Sequence, residues 1–280
     1  MVLQVRRHPL RELELNSEGY VVHGTVRDPS DGKNAHLLKL ENARENLKLF
    51  KTDLLDYEGL SAAITGCAGV FHVACPIPTD PASILNPKDK LLEEAVTGTR
   101  NVLNACSITK VKKVISVSSI AAVMLNPNWP KDQAMNEESW SDLEFCKANE
   151  QWYFLAKTIA EKEALEYGKT SSLKIVTICP SIIIGPLLQP TMNSSSLYLL
   201  SYLKDGETLD SGTRSFVDDL AEKLKAMYPH CYYPKSFAGG LPSMDMNSEK
   251  LQTLGWKYRS LEESLVDTVK NYEERGDLAV

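Results

Sequence analysis

Apolar and β-branched residues come in short runs along the first two-thirds of the chain. Residues 20–27 (YVVHGTVR), 46–56 (NLKLFKTDLLD), 69–76 (GVFHVACP), 112–119 (KKVISVSS) and 173–181 (LKIVTICPS) each read as a strand. Their near-continuous apolar character suits strands buried on both faces, as in a parallel sheet. Between them, apolar residues recur at helical spacing over 60–67, over 90–109, and from EQWYFLAKTIAEKEA (150–164) on to Tyr167. Strand and helix in alternation predict a doubly wound α/β fold. Beyond Pro186 the alternation weakens. SSSLYLLSYLKDG, DDLAEKLKAMYP and SLEESLVDTVKNYEERG read as helices. The expected division is a doubly wound domain over 1–185 and a smaller, mostly helical lobe over 186–280. The loop 124–142, rich in Pro, Asn and Trp, is expected at the rim of a site.

An open α/β sheet binds its ligands outside the carboxyl ends of the strands. Those ends carry Arg27, Asp53, Ala74–Cys75, Ser118–Ser119 and Pro180–Ser181. Tyr153 stands four residues before Lys157, so a helix sets both on one face. Tyr-x-x-x-Lys alone is a short pattern and fits an ordinary helix surface. Its surroundings add weight: VSS ends one strand ahead of this helix, and the next strand closes with CPS. A phenol has an ordinary pKa near ~10, too high for efficient proton exchange near neutrality. A nearby ammonium lowers it. A serine hydroxyl can hold a substrate carbonyl beside the phenol. Serine, tyrosine and lysine so placed make a proton-transfer set for carbonyl reduction. The competing reading of Ser118–Ser119 is a polar strand end that caps its own backbone.

Arg27 directly follows its strand. Dinucleotide folds that read NAD carry an acidic residue in this region, whereas an arginine suits the extra phosphate of NADP. Lys33 is near enough to share that charge. A solvated surface arginine is the competing reading. Asp53 and Leu54 are placed to contact the adenine, against the alternative of a plain helix cap.

Composition narrows the class. With 43% hydrophobic and 24% charged residues, the chain belongs with ordinary globular proteins. A net charge of −6 without a long basic run argues against nucleic acid as a partner. The six cysteines are scattered, with no C-x-x-C pair and no zinc spacing. They read as small apolar residues of a reducing compartment, and no metal is expected. No apolar run has the length of a membrane span, and MVLQVRRHPLRELELNSEG lacks a signal-peptide core. The expectation is a cytoplasmic protein acting on a small molecule, away from membranes.

Several segments together carry a resemblance: VRDPSDGKNAHL, GVFHVACP, SS before WSDLEFCK, WYFLAKTIAEKEA, CPSIIIGPLLQP and KLQTLGWKYRSLEESLVDTVKNY. In these the chain resembles the plant cinnamoyl-CoA reductase and dihydroflavonol reductase family of extended short-chain dehydrogenases/reductases. The resemblance runs from about Gly19 to about Tyr272. It implies a Rossmann-like fold, NADP(H) as cofactor, and hydride transfer to an acyl-CoA thioester, an aldehyde or a ketone. It implies a catalytic triad of Ser119, Tyr153 and Lys157, with Arg27 and Lys33 at the NADP phosphate. Further cofactor contacts implied are Asp53, Leu54, Val73, Ala74, Cys75, Pro180, Ser181, Ile182, Ile183 and Ser195, with Tyr153 and Lys157 also touching the cofactor.

Two departures stand out. The family opens with a strand and a loop of the form T-G-x-x-G-x-x-G, but MVLQVRRHPLRELELNS holds no glycine. The first strand and the phosphate cradle are therefore expected to be missing. After TRSFVDD the chain passes straight into LAEKLKAMYP, where the family continues with a helix and a strand, so the lobe is expected to be shortened at 218–219. An inert form that acts as a binding protein is the competing function. Cinnamoyl-CoA reductases proper often read N-W-Y-C-Y around the tyrosine; Q-W-Y-F-L here points to their reductase-like relatives.

Overall fold

The computed structural model describes residues 2–4, 19–75, 91–204, 214–231, 233 and 245–278. By contacts they divide into two compact units. The first comprises residues 1–128, 137–181 and 188–191; the second comprises 129–136, 182–187 and 192–280.

The first unit is built on a parallel sheet. Its strands are β1 (Val2–Gln4), β2 (Val22–Val26), β3 (Leu47–Lys51), β4 (Gly69–His72), β5 (Lys113–Val117) and β6 (Lys174–Ile178). Their order is β3-β2-β1-β4-β5-β6. This is the Rossmann order, in which the winding reverses between β1 and β4. The predicted α/β class holds, with one correction: the first strand is present. Val2 pairs with His23 on one side and with Val70 on the other. Three residues suffice because both neighbours supply a ladder, so β1 needs no length of its own. Residues 5–18, where the missing glycine-rich loop was expected, lie outside the described residues.

Helices cover one face of this sheet. They are α1 (Tyr57–Ile64), α2 (Gly98–Ile108), α3 (Leu143–Ala148) and α4 (Trp152–Thr170). The Asp56 carboxylate starts α1 by accepting from the Gly59 N–H. α2 continues a π-helical turn over Glu93–Thr97. Gly98 stands at the join because a Cβ there would come within 2.8 Å of the Leu54 Cβ. Leu60, Ile64, Val102, Leu103, Val70 and Val114 form the centre of the core between these helices and the sheet. Asp142 caps α3 through the Phe145 N–H. Glu150, with φ 55, breaks the run, so α4 begins at Trp152 instead of the expected Glu150. Tyr153 thereby lies in its first turn.

The second unit contains α5 (Ser194–Lys204), α6 (Arg214–Met227) and α7 (Leu261–Glu274). Leu199, Leu203, Leu224, Leu265, Val269 and Tyr272 pack at its centre. Ser260 and Glu263 make a reciprocal capping box at the start of α7. α6 runs unbroken through Asp218–Asp219, the expected junction. The loop 124–142 is shared: residues 129–136 belong to this unit, where Met135 bridges to Met246. Among the described residues no helix is long and apolar enough to cross a membrane, and no cluster of side chains has the makings of a metal site.

Candidate active site

Tyr153, Lys157 and Glu161 follow one another at four-residue spacing and so form one stripe along α4. α4 packs on β6 and on the 3-10 turn Ile120–Ala122 that follows β5. The stripe therefore meets the carboxyl ends of those strands.

Ser119 caps that 3-10 turn. Its backbone is extended (φ −162, ψ 152) and its Oγ accepts from the Ala121 N–H at 3.1 Å. Its hydroxyl also acts on the Tyr153 phenol. The capping reading of this serine holds, while its part in proton transfer is a proposal. Burial pushes the Tyr153 phenol up to about 12; the Cys75 thiol adds to the rise and the Ser119 hydroxyl opposes it. This reverses the sequence-based expectation of a lowered value. The reason is geometric. Lys157 is buried, and its Nζ donates to the Val117 carbonyl at 3.1 Å.

Beneath Lys157 lies a buried polar cluster that sequence reasoning missed. His72 Nε2 and Thr99 Oγ1 are 3.0 Å apart. Burial, with the Lys157 charge beside it, lowers the His72 imidazole to about 3, so the ring is neutral. Glu161, 4% exposed, accepts from Ser118 Oγ at 2.5 Å and from Cys179 Sγ at 3.2 Å. Burial and then the Glu161 carboxylate push the Cys179 thiol up to about 12, so it stays protonated and donates. One signal for Glu161 was legible: it lies on the Tyr153–Lys157 face, one turn further on.

The expected cofactor residues separate into groups. Arg27 follows β2 and is exposed, as is Lys33 in the 3-10 turn Gly32–Asn34. Both cations act on Asp31: Lys33 pairs with it at 2.5 Å, and its hydrogen bonds, with a smaller contribution from Arg27, hold that carboxyl below the usual range. The structure thus brings Arg27 and Lys33 to one patch. Asp53 accepts from the Leu55 and Asp56 N–H groups and so caps its own turn. The Leu54 side chain is buried in the core. Val73 packs with Val22 and Phe71, Ala74 joins the main core, and Cys75 lies with Leu91, Ala95 and Ala156 beside Tyr153. The Pro180 carbonyl accepts from the Ile120 N–H at 2.9 Å. Ser181 is exposed at the end of the first unit. Ile182, Ile183 and Ser195 belong to the second unit, Ser195 in the first turn of α5.

The family model of the NAD dependent epimerase/dehydratase family matches residues 12–231. The chain belongs to this family. It is 34% identical to cinnamoyl-CoA reductase 2 of Medicago truncatula over 95% of its own length and 88% of the relative's. It is 36% identical to cinnamoyl-CoA reductase 1 of Arabidopsis thaliana over 95% and 86%. The latter match extends over 301 positions, more than the 280 residues here, so this relative carries residues that this chain lacks. Among solved structures, vestitone reductase from alfalfa superposes with a TM-score of 0.78 at 26% identity, covering 99% of this chain and 98% of that one. These relatives are reductases, and the branch they define is the one the sequence motifs resemble.

Proposed function

We propose that this oxidoreductase reduces a carbonyl or CoA-thioester substrate with NADPH, in the manner of the cinnamoyl-CoA reductase-like enzymes. The observation that carries this reading is the Tyr153–Lys157 face of α4, with Lys157 donating to the Val117 carbonyl at the end of β5 and Ser119 beside the phenol. NADPH, when bound, supplies the hydride. The chain's own residues then handle the proton and the geometry. Ser119 holds the carbonyl oxygen against the phenol. Tyr153, protonated at neutral pH, hands its proton to that oxygen as negative charge develops there. Lys157 lies one turn from the phenol and supplies a fixed positive charge to the site.

The donor set fits NADPH at two ends. Arg27 and Lys33 present two exposed cations after β2, suited to a phosphate on the adenosine ribose. Lys33 must exchange Asp31 for that phosphate. Ala74, Cys75, Pro180 and Ser181 stand at the ends of β4 and β6, where an open sheet meets its ligand. The Gln151-Trp152-Tyr153-Phe154-Leu155 stretch favours an aldehyde or ketone over a cinnamoyl thioester. A second reading, an inert binding protein, is favoured by the absence of glycine from residues 5–18.

The test is consumption of NADPH by the purified chain with a panel of hydroxycinnamoyl thioesters, aromatic aldehydes and ketones. Turnover with any of them supports the reductase. Saturable ligand binding without turnover across the panel supports the second reading.

A further inference from the structure

Glu161 is a carboxyl group in the interior, where a polar group is costly unless its hydrogen bonds are made. Its two donors come from different strands. Ser118 immediately precedes Ser119 after β5, and Cys179 immediately follows β6. The backbone ladder between these strands continues past their ends: the Ser118 N–H donates to the Ile178 carbonyl at 2.7 Å, and the Ile120 N–H to the Pro180 carbonyl at 2.9 Å. Those two bonds bracket Ser119. Glu161 therefore ties both rails of the ladder to α4 at the point where Ser119 leaves it. The same rigid helix carries Tyr153 two turns away.

From this geometry we infer that Glu161 is a positioning residue, which sets the Ser119 hydroxyl against the Tyr153 phenol by holding Ser118 and Cys179. Its importance for turnover rests on the reductase reading above; its effect on the Ser119–Tyr153 contact does not. A purely space-filling role is a poor fit to the chemistry. An apolar side chain would fill the volume, whereas the carboxylate accepts from Ser118 at Oε2 and from Cys179 at Oε2 and, at 3.4 Å, at Oε1. A glutamine of equal size can keep an oxygen at Oε2, but it sets an N–H₂ where Oε1 accepts from Cys179 and it removes the negative charge that the Ser118 and Cys179 donors face. The charged and titratable groups around the Tyr153–Glu161 stripe are Lys157 on α4, His72 on β4, Cys75 after β4, Cys179 after β6, and Glu137, which acts on Cys179.

The experiment uses the 280-residue chain with ring-labelled tyrosine, with Tyr153→Phe assigning the Tyr153 resonance. Glu161→Gln and Ser118→Ala are then compared with the parent by NMR and by kinetics. The Tyr153 ζ-carbon signal is expected to move in the same direction in both variants, and no further in the double variant. Where the parent turns over, kcat should fall on the order of tenfold to a hundredfold, as for a misplaced catalytic group, with KM for NADPH little changed. Ser118→Ala keeps the test decisive if Glu161→Gln does not fold, because it removes one donor and leaves the helix intact. A Tyr153 signal that stays in place, with a lowered melting temperature as the one effect, would overturn the inference. A parent that shows no turnover while the signal still moves would count against the reductase reading and leave Glu161 in its positioning role.

Discussion

The Ser119 hydroxyl acts on the Tyr153 phenol although the first caps a 3-10 turn after β5 and the second lies in the first turn of α4. The contact joins two elements that 33 intervening residues separate in sequence. It places a hydroxyl beside the group proposed to donate the proton, and the sharpest test falls on that group.

Tyr153→Phe should abolish carbonyl reduction and leave NADPH affinity nearly unchanged. The ring stays; the proton does not. General acid catalysis is worth on the order of 10²–10⁴-fold. Steady-state turnover together with a fluorescence titration of NADPH measures both halves. Undiminished turnover in the Phe variant would remove Tyr153 from the reaction.

Cofactor choice rests on the patch after β2. Arg27→Ala should weaken NADPH more than NADH, because the guanidinium pairs with a phosphate that NADH lacks. A hydrogen bond to a charged group contributes roughly 1.5–3 kcal/mol, or about one to two orders of magnitude in affinity. Equal loss for the two cofactors would show that Arg27 does not read the phosphate.

Between β1 and β2, residues 5–18 hold no glycine; the first is Gly19, at φ +80. Backbone that approaches a pyrophosphate closely needs glycine, since a side chain holds it off. The expected outcome in calorimetry is an NADPH affinity weaker than micromolar. Losing two or three charge-assisted hydrogen bonds costs several kcal/mol, a factor on the order of a thousand. With β1 already in place, replacing residues 5–18 by a glycine-rich loop should be enough to tighten binding. Micromolar affinity in the unaltered chain would mean that this segment holds the phosphates by other means.

His72 makes stability depend on pH. Its folded value, about 3, lies below the ordinary imidazole value of 6.5. The unfolded chain therefore binds a proton between those limits that the folded chain refuses. The contribution is full above pH 6.5 and is lost as pH falls toward 3, at up to about 1.4 kcal/mol per pH unit. Chemical denaturation at pH 7 and pH 5 should show this decline. His72→Gln should lower stability at both values yet reduce the slope between them. An unchanged slope would mean that other groups carry the acid sensitivity.

How much of this was legible in the chain can be argued from particular residues. Short apolar runs announced β2 to β6, but double burial did not follow for all of them: β3 and β6, outermost of the six described strands, hold no buried residue, and Val176 and Ile178 are exposed. The four-residue spacing of Tyr153 and Lys157 put them on one helix face, and the motif set around them identified the family. β1 escaped that reading. Val2–Gln4 is too short to show a period, and it is a strand because β2 and β4 hydrogen-bond it from both sides. Local pattern also placed Asp53 and Leu54 at the adenine; tertiary structure adds that Asp53 caps its own turn and Leu54 fills the core, and their contact with the cofactor stays a proposal. The direction of the Tyr153 shift belonged to tertiary structure as well. Spacing brings a lysine near a tyrosine, but burial and the Val117 carbonyl decide what the ammonium touches. His72 and Glu161 read as an ordinary strand residue and an ordinary helix residue until distant segments close over them. Periodicity is a property of neighbours along the chain, whereas desolvation and hydrogen-bond partnership arise only when the chain has folded.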